Sequence, residues 1–376
     1  MSKNSLCILS DHLPTLKDDG ISLILSNYIS FLGKYGSHYH LIYPTSSSSP
    51  PSRAKVLFRY MISLSPYSVC KSRYNFSDIV KFFYHYRFNF RSIHVFGYSL
   101  SLLKILLIVC ASSSSVTVSL VDSMSLHFYR RCINSSSFIS RLLYFLEFLR
   151  CLAYENILQL LPVNITYVSQ VDLRSFKISN CYFPSSLYCV PNGIDVNYFA
   201  PKFVSKSEEL RLVFYGDLDY SPNIDCVNFL LDYAADSTTS YNVDIHLAGK
   251  CSYFSKFNGI ASIHYHGYVE DLRTLFTSNS LFVCPMSTGS GVKNKILECL
   301  AMHVPVLCTS VASDGISEFL LDYLNIYPLS EFEEFIHRFA SSATFRSGLR
   351  EVFTTLPGNS LLSWDSIAQQ YFDLAA

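Results

Sequence analysis

Residues 286–301 read Met286-Ser287-Thr288-Gly289-Ser290-Gly291-Val292-Lys293-Asn294-Lys295-Ile296-Leu297-Glu298-Cys299-Leu300-Ala301: a glycine-rich turn, two lysines and then a carboxylate one helical turn further on. Gly289 and Gly291 let a backbone bend close to a ligand. The helix predicted to follow aims its unpaired N–H groups and positive dipole end at any anion held there. Lys293 and Lys295 add full charges, and Glu298 can accept hydrogen bonds from a pair of sugar hydroxyls. The stretch reads as a phosphate-and-ribose clamp suited to a nucleotide diphosphate, with Ser290 inside its turn. Plainer readings stand beside this one: Lys293 as a solvated side chain, and Glu298 as an exposed helix residue paired with Lys295 three positions earlier.

A chain of 376 residues exceeds what one hydrophobic core normally holds, so two domains are expected. Hydrophobic residues make up 49% and charged residues 15%, which argues for well-packed globular domains and against disorder. The 12 cysteines form no CxxC pair and are scattered through apolar segments, as reduced core residues of a cytoplasmic protein would be. The apolar run near the N-terminus is too short for a signal peptide core, so no export is expected. The greasiest stretch, residues 100–111, is interrupted by Lys104 and falls short of the roughly 20 residues that a membrane span requires.

Net charge is zero, but residues 1–190 carry 18 Lys and Arg against 8 Asp and Glu, and the remainder carries 11 against 21. Between residues 53 and 91, basic side chains such as Arg59, Lys81 and Arg87 alternate with aromatics such as Phe83, Tyr86 and Phe88. That mixture suits the headgroup layer of an anionic cytoplasmic leaflet as well as a solvated face over core aromatics. Nucleic acid is the least favoured partner for it.

The elements that must position the clamp alternate strand with helix. Residues 6–10, 40–43, 93–96, 116–121 and 165–168 read as strands, residues 20–32 as a helix, and residues 138–161 as one long helix between the last two strands. A turn cluster, Val190-Pro191-Asn192-Gly193-Ile194-Asp195, marks a break, after which strands are expected at 212–215, 243–248, 263–265, 281–283 and 304–307. Such alternation makes parallel sheets covered by helices, so the fold class is α/β: two doubly wound, Rossmann-like domains with ligands bound at strand C-terminal ends.

Several landmarks carry a family resemblance. Val190-Pro191-Asn192-Gly193-Ile194-Asp195, Phe214-Tyr215-Gly216-Asp217-Leu218, Leu247-Ala248-Gly249, His266-Gly267-Tyr268-Val269, the clamp and Pro305-Val306-Leu307 resemble the successive motifs of the family 4 (group 1) retaining glycosyltransferases. Ser119-Leu120-Val121-Asp122-Ser123 and Tyr167-Val168-Ser169 are similar to bacterial sugar transferases that build surface polysaccharides such as lipopolysaccharide. The resemblance implies a GT-B fold, with an acceptor-side domain over residues 1–190 and a nucleotide-sugar donor domain over residues 205–356. A closing helix within residues 357–376 would return to the first domain.

It further implies that Gly289, Ser290, Gly291 and Lys295, with Lys293 second, neutralise the donor diphosphate without a metal or other cofactor. Glu298 would hold the ribose, and Tyr268 and Val269 would contact the base through their backbone. Gly216 and Gly20, the latter in the first loop, would approach the donor. Lys295 and Asp122 are the catalytic candidates, Asp122 having helix capping as its plainer use. The partners implied are a nucleotide-sugar and a glycan or lipid-linked acceptor, with the protein cytoplasmic or peripheral on the inner membrane. Two positions depart from the family's pattern: Ser290 stands where a glutamate is frequent, and Asp217 where an arginine is frequent, so that either the lysines supply the whole positive charge, the favoured reading, or Asp217 points away. A nucleotide-sugar epimerase of the same fold and a non-catalytic subunit of a polysaccharide assembly complex are the alternatives.

Overall fold

The central strands of this chain are short apolar runs buried on both faces, the pattern that parallel sheets produce. A computed structural model describes residues 6–10, 20–34, 39–42, 90–98, 115–179, 186–200, 209–235, 243–257, 259–260, 262–289, 291–356 and 363–375. The chain divides into two units, residues 1–193 with 364–376, and residues 194–363. Of the basic and aromatic segment, only its last residues, Phe90 and Arg91, are among those described.

The first unit runs β1 (Leu6–Ser10), α1 (Gly20–Lys34), β2 (Tyr39–Ile42), β3 (Ser92–Phe96), β4 (Ser115–Val121), α2 (Met124–Asn134), α3 (Phe138–Gln159), β5 (Asn164–Tyr167), α4 (Gln170–Ser179) and β6 (Ser186–Cys189). Its sheet has the order β2-β1-β3-β4-β5-β6, and its strand pairs are all parallel. Two helices, not one, separate β4 from β5. The missed one, α2, mixes Ser125, His127, Arg130, Arg131 and Asn134 with its apolar residues, so its apolar signal is weak. The edge strand β6 was missed because its residues alternate between partly buried and exposed.

The second unit contributes β7 (Arg211–Tyr215), α5 (Ser221–Ala235), β8 (Asp244–Ala248), β9 (Ile263–Tyr265), β10 (Ser280–Cys284), α6 (Asn294–Ala301), β11 (Val306–Cys308), β12 (Asn325–Ile326), α7 (Phe332–Ser341) and α8 (Ala343–Glu351). Its parallel sheet has the order β12-β11-β10-β7-β8-β9. The chain therefore builds outward from β7 to β9, then crosses back to lay β10 on the other side of β7, with Leu281 opposite Leu212 and Phe282 opposite Val213. The reversal leaves a gap between the crossovers above the C-terminal ends of β7 and β10, where doubly wound sheets bind their ligands. Both Gly216 and the clamp lie there. Phe214 and Phe282 stack across this junction with ring centroids 5.9 Å apart.

The last helix, α9 (Trp364–Ala375), belongs to the first unit. Tyr371 packs there against Tyr28 of α1 and His94 of β3, with centroids 5.9 and 5.6 Å away. His94 is fully buried, and its Nε2 lies 2.7 Å from the Ser119 hydroxyl. It is a core histidine.

Candidate functional site

Three strand tips of the second unit end in glycine: Gly216 after β7, Gly249 after β8 and Gly267 after β9, with φ of 139°, 121° and 62°. The Gly249 N–H donates to the Gly267 carbonyl at 2.6 Å and the Gly216 N–H to the Ala248 carbonyl at 3.0 Å. A side chain at Gly249 would overlap the Gly216 peptide, its Cβ lying 2.8 Å from the carbonyl carbon. At Gly216 a Cβ would instead meet the Lys295 ammonium at 3.0 Å. Glycine here allows both the left-handed backbone and the close approach of a cation.

Lys295 stands in the first turn of α6. Its Nζ donates to Asn223 Oδ1 at 2.8 Å, and Asn223 Nδ2 donates to the Asp217 carbonyl at 2.7 Å. The ammonium also lies 4.7 Å above the Phe214 ring. An amide on α5 and an aromatic on β7 thus hold the charge over the tip of β7, at the end of a helix whose dipole is also positive. Lys293 is the N-cap residue of α6, in extended conformation. It is only 7% exposed, so the solvated reading does not hold; its Nζ donates to the Gly291 carbonyl at 3.0 Å and closes the glycine turn. Gly289 and Gly291 have φ of 136° and 68°. Ser290 lies outside the described residues.

Glu298 does not pair with Lys295 along the helix. Its Oε2 accepts the Tyr215 hydroxyl at 2.6 Å, and the same hydroxyl lies 3.3 Å from the Lys295 carbonyl. Burial raises the Glu298 pKa, while the Tyr215 hydrogen bond and then Lys295 pull it back. Burial, Cys299 and Glu298 push the Tyr215 phenol well above its usual range, which keeps it a donor. Beneath the clamp the Cys284 thiol is drawn below its ordinary value, first by a hydrogen bond from Cys226 and then, against burial, by Lys295 and Lys293. The local field is positive. Asp217 is exposed and spends its carboxylate on a turn, accepting the Asp219 N–H at 3.1 Å. Tyr268 is exposed after Gly267, and Val269 packs against the core.

In the first unit, Asp122 follows β4 directly. Capping falls to its neighbour, since the Ser123 hydroxyl accepts the Leu126 N–H at 3.2 Å. The preceding Val121 has φ of 67°, a conformation costly for a β-branched residue, and it sits where the β4–β5 register shifts. Two buried carboxylates brace this corner. Asp172 Oδ1 accepts the Ser123 N–H at 3.1 Å. Glu155 Oε2 accepts the Ser125 hydroxyl at 2.6 Å, and its other oxygen accepts the Tyr98 hydroxyl. Gly20 is the first residue of α1 and not part of the loop before it.

Sequence reasoning passed over Asn223, Tyr215, Glu155 and Asp172. The usable signals were an asparagine in the first turn of a helix after a strand-tip glycine, and carboxylates set into otherwise apolar surroundings.

Two six-stranded parallel sheets, one in each unit, are the architecture of the GT-B fold. Residues 209–338 match the family model of the glycosyl transferases group 1. That match lies within the second unit, which is therefore similar to the corresponding unit of group 1 glycosyltransferases. Among curated proteins the sequence finds no match. Among solved structures it is similar to WaaG, a glycosyltransferase involved in lipopolysaccharide biosynthesis, at 12% identity over 99% of each chain with a TM-score of 0.64. Sucrose-phosphate synthase from Thermosynechococcus elongatus is 15% identical over 99% of this chain and 98% of that one, with a TM-score of 0.66. Anabaena HepE, in complex with UDP and glucose, is 12% identical over 98% of each chain with a TM-score of 0.64. At such identities the likeness is one of fold.

Proposed function

We propose that this protein moves a sugar, with retention of configuration, from a nucleotide diphosphate donor to a glycan acceptor carried on a lipid, in the building of a bacterial surface polysaccharide. The observation that carries the donor half is the Lys295–Asn223–Gly216 arrangement beside the Tyr215–Glu298 pair: a fixed cation over a bare strand tip, and a carboxylate held ready for hydroxyl groups.

In the reaction the bond from the sugar's anomeric carbon to the diphosphate breaks and its electron pair goes to the leaving phosphate oxygen. Lys295 and the α6 N-terminus stabilise that charge in place of a metal ion, with Gly289 and Gly291 shaping the turn beside it and Lys293 keeping that turn closed. Glu298 holds the ribose, and the backbone at Tyr268 and Val269 meets the base. The acceptor oxygen bonds the anomeric carbon and gives up its proton, for which Asp122 is the candidate in the first unit. The protein works at the cytoplasmic leaflet, where the lipid carrier is presented.

A thermal-shift screen against UDP-, GDP- and dTDP-sugars tests the donor half, because a ligand at ~100 times its Kd stabilises the folded form by about 2.7 kcal/mol. No shift with any nucleotide-sugar would refute it. Donor consumption is then followed with and without lipid-linked glycan: consumption that needs no acceptor would point to an epimerase, and donor binding without consumption in either arm to a non-catalytic subunit.

A further inference from the structure

The outer face of α3, in the α2–α3 hairpin of the first unit, is strongly apolar. Phe138, Ile139, Leu142, Phe145, Leu146 and Leu149 of α3 are each between 43% and 79% exposed. At about 100° per residue they fall within one stripe roughly 120° wide along the first three turns. Arg141 and Arg150 flank the stripe, one on each side. The hairpin is held by its other side, where Tyr129 meets Phe148 and Phe128 meets Tyr144, with centroids 5.9 and 6.5 Å apart. The stripe is therefore not a core waiting to close within the hairpin.

Charge indicates what covers it. The acidic side chains of α2 and α3 are Glu147 and Glu155, exposed by only 7% and 0%. The basic ones are Arg130, Arg131, Arg141 and Arg150, and the last forms a 2.8 Å ion pair with Glu147. A second copy packed face to face on this stripe would bring arginines against arginines. An anionic lipid surface would take the apolar side chains below its headgroups and the arginines among them.

Although α3 has 22 residues, Arg141, Glu147, Arg150 and Glu155 interrupt it, and among the described residues no helix is long and apolar enough to cross a membrane. We infer that the α2–α3 hairpin lies in the plane of an anionic membrane, its Phe138–Leu149 stripe inserted at the headgroup boundary. This deepens the reading of a lipid-carried acceptor, yet vesicle binding needs no donor, so each can fail without the other.

The test is flotation of the full chain with phosphatidylcholine vesicles, with or without phosphatidylglycerol. The wild type should float with the anionic vesicles. The triple variant Ile139→Gln, Leu142→Gln, Leu146→Gln should partition at least about tenfold more weakly, since half of the stripe's apolar positions become polar. Arg141→Gln with Arg150→Gln should cost about fivefold per arginine on anionic vesicles and little on neutral ones. Phe254→Ser, an exposed position of the second unit, should change nothing. A nucleotide-sugar thermal shift retained in the triple variant shows that its second unit is folded, and circular dichroism reports the rest. The inference is overturned if the wild type does not float, or if the folded triple variant floats like the wild type. It is equally overturned if light scattering shows that the triple substitution splits a dimer while leaving vesicle binding intact.

Discussion

Replacing Gly249 by alanine probes the closest backbone approach in the candidate site. The new Cβ would overlap the Gly216 carbonyl oxygen and stand 2.8 Å from its carbon, whereas unstrained heavy atoms sit about 3.5–4.0 Å apart, so the tips of β7 and β8 must separate by more than about 1 Å. The hydrogen bond from Gly216 to Ala248, at 3.0 Å, would then be stretched beyond useful geometry, and the one from Gly249 to Gly267, at 2.6 Å on the β9 side, would be misaligned as its donor moves. Losing two net contributions of ~1 kcal/mol each, and holding alanine at a left-handed φ for another ~1–3 kcal/mol, gives about 3–5 kcal/mol. That is a large part of the ~5–15 kcal/mol that keeps a domain folded.

Trp364 is the one tryptophan and belongs to the first unit. Its fluorescence reports the helix α9 of that unit, while hydrogen exchange across β7, β8 and β9 reports the second. Gly249→Ala should lose protection at those three strands and leave the tryptophan transition in urea unmoved. Protection within ~1 kcal/mol of the wild type would mean that the strand tips do not meet as described.

Other perturbations address the charges. Lys295→Met keeps the aliphatic stem and removes the ammonium, so kcat/KM should fall by ~10²–10³-fold, about 2.7–4 kcal/mol, with little change in melting temperature; full activity would remove Lys295 from the site. Burial raises the Glu298 pKa above its ordinary 4.5, so the folded state prefers the protonated carboxyl and loses stability as pH rises through the raised value. Glu298→Gln should therefore melt higher than the wild type near pH 8, with the gap closing as pH falls toward 4.5, while nucleotide-sugar affinity drops; a lower melting point at pH 8 would contradict this. Burial lowers His94 to about 3 and His246 to about 4. Because the unfolded chain takes up protons there first, each histidine should erode stability by at most about 1.4 kcal/mol per pH unit between pH ~6.5 and its own lowered value. His246→Gln should flatten that slope in second-unit hydrogen exchange and leave the Trp364 transition unchanged.

Much of the fold could be read from local pattern. The strand at residues 6–10 coincides with the sequence reading, and most others agree to within one or two residues, because a strand buried on both faces is a continuous apolar run whatever surrounds it; the strand at 263–265 coincides too, although only Ile263 of it is buried. The exceptions follow the same logic: β12 is two residues long and β6 is only half covered, so neither offers an apolar run to detect.

Residue types within one turn of each other were equally legible. Gly289, Gly291, Lys293, Lys295 and Glu298 are consecutive features of one loop and one helix, and the sequence by itself determined that a glycine turn and two ammonium groups would meet a helix N-terminus. It could not assign their partners. Asn223 lies 72 residues from Lys295, and Tyr215 lies 83 from Glu298. Only the return of β10 to the far side of β7 brings each pair together. Periodicity specifies the type of an element but carries no term for its neighbours, so strand order, and with it the direction of every charge in the site, was decided by tertiary packing.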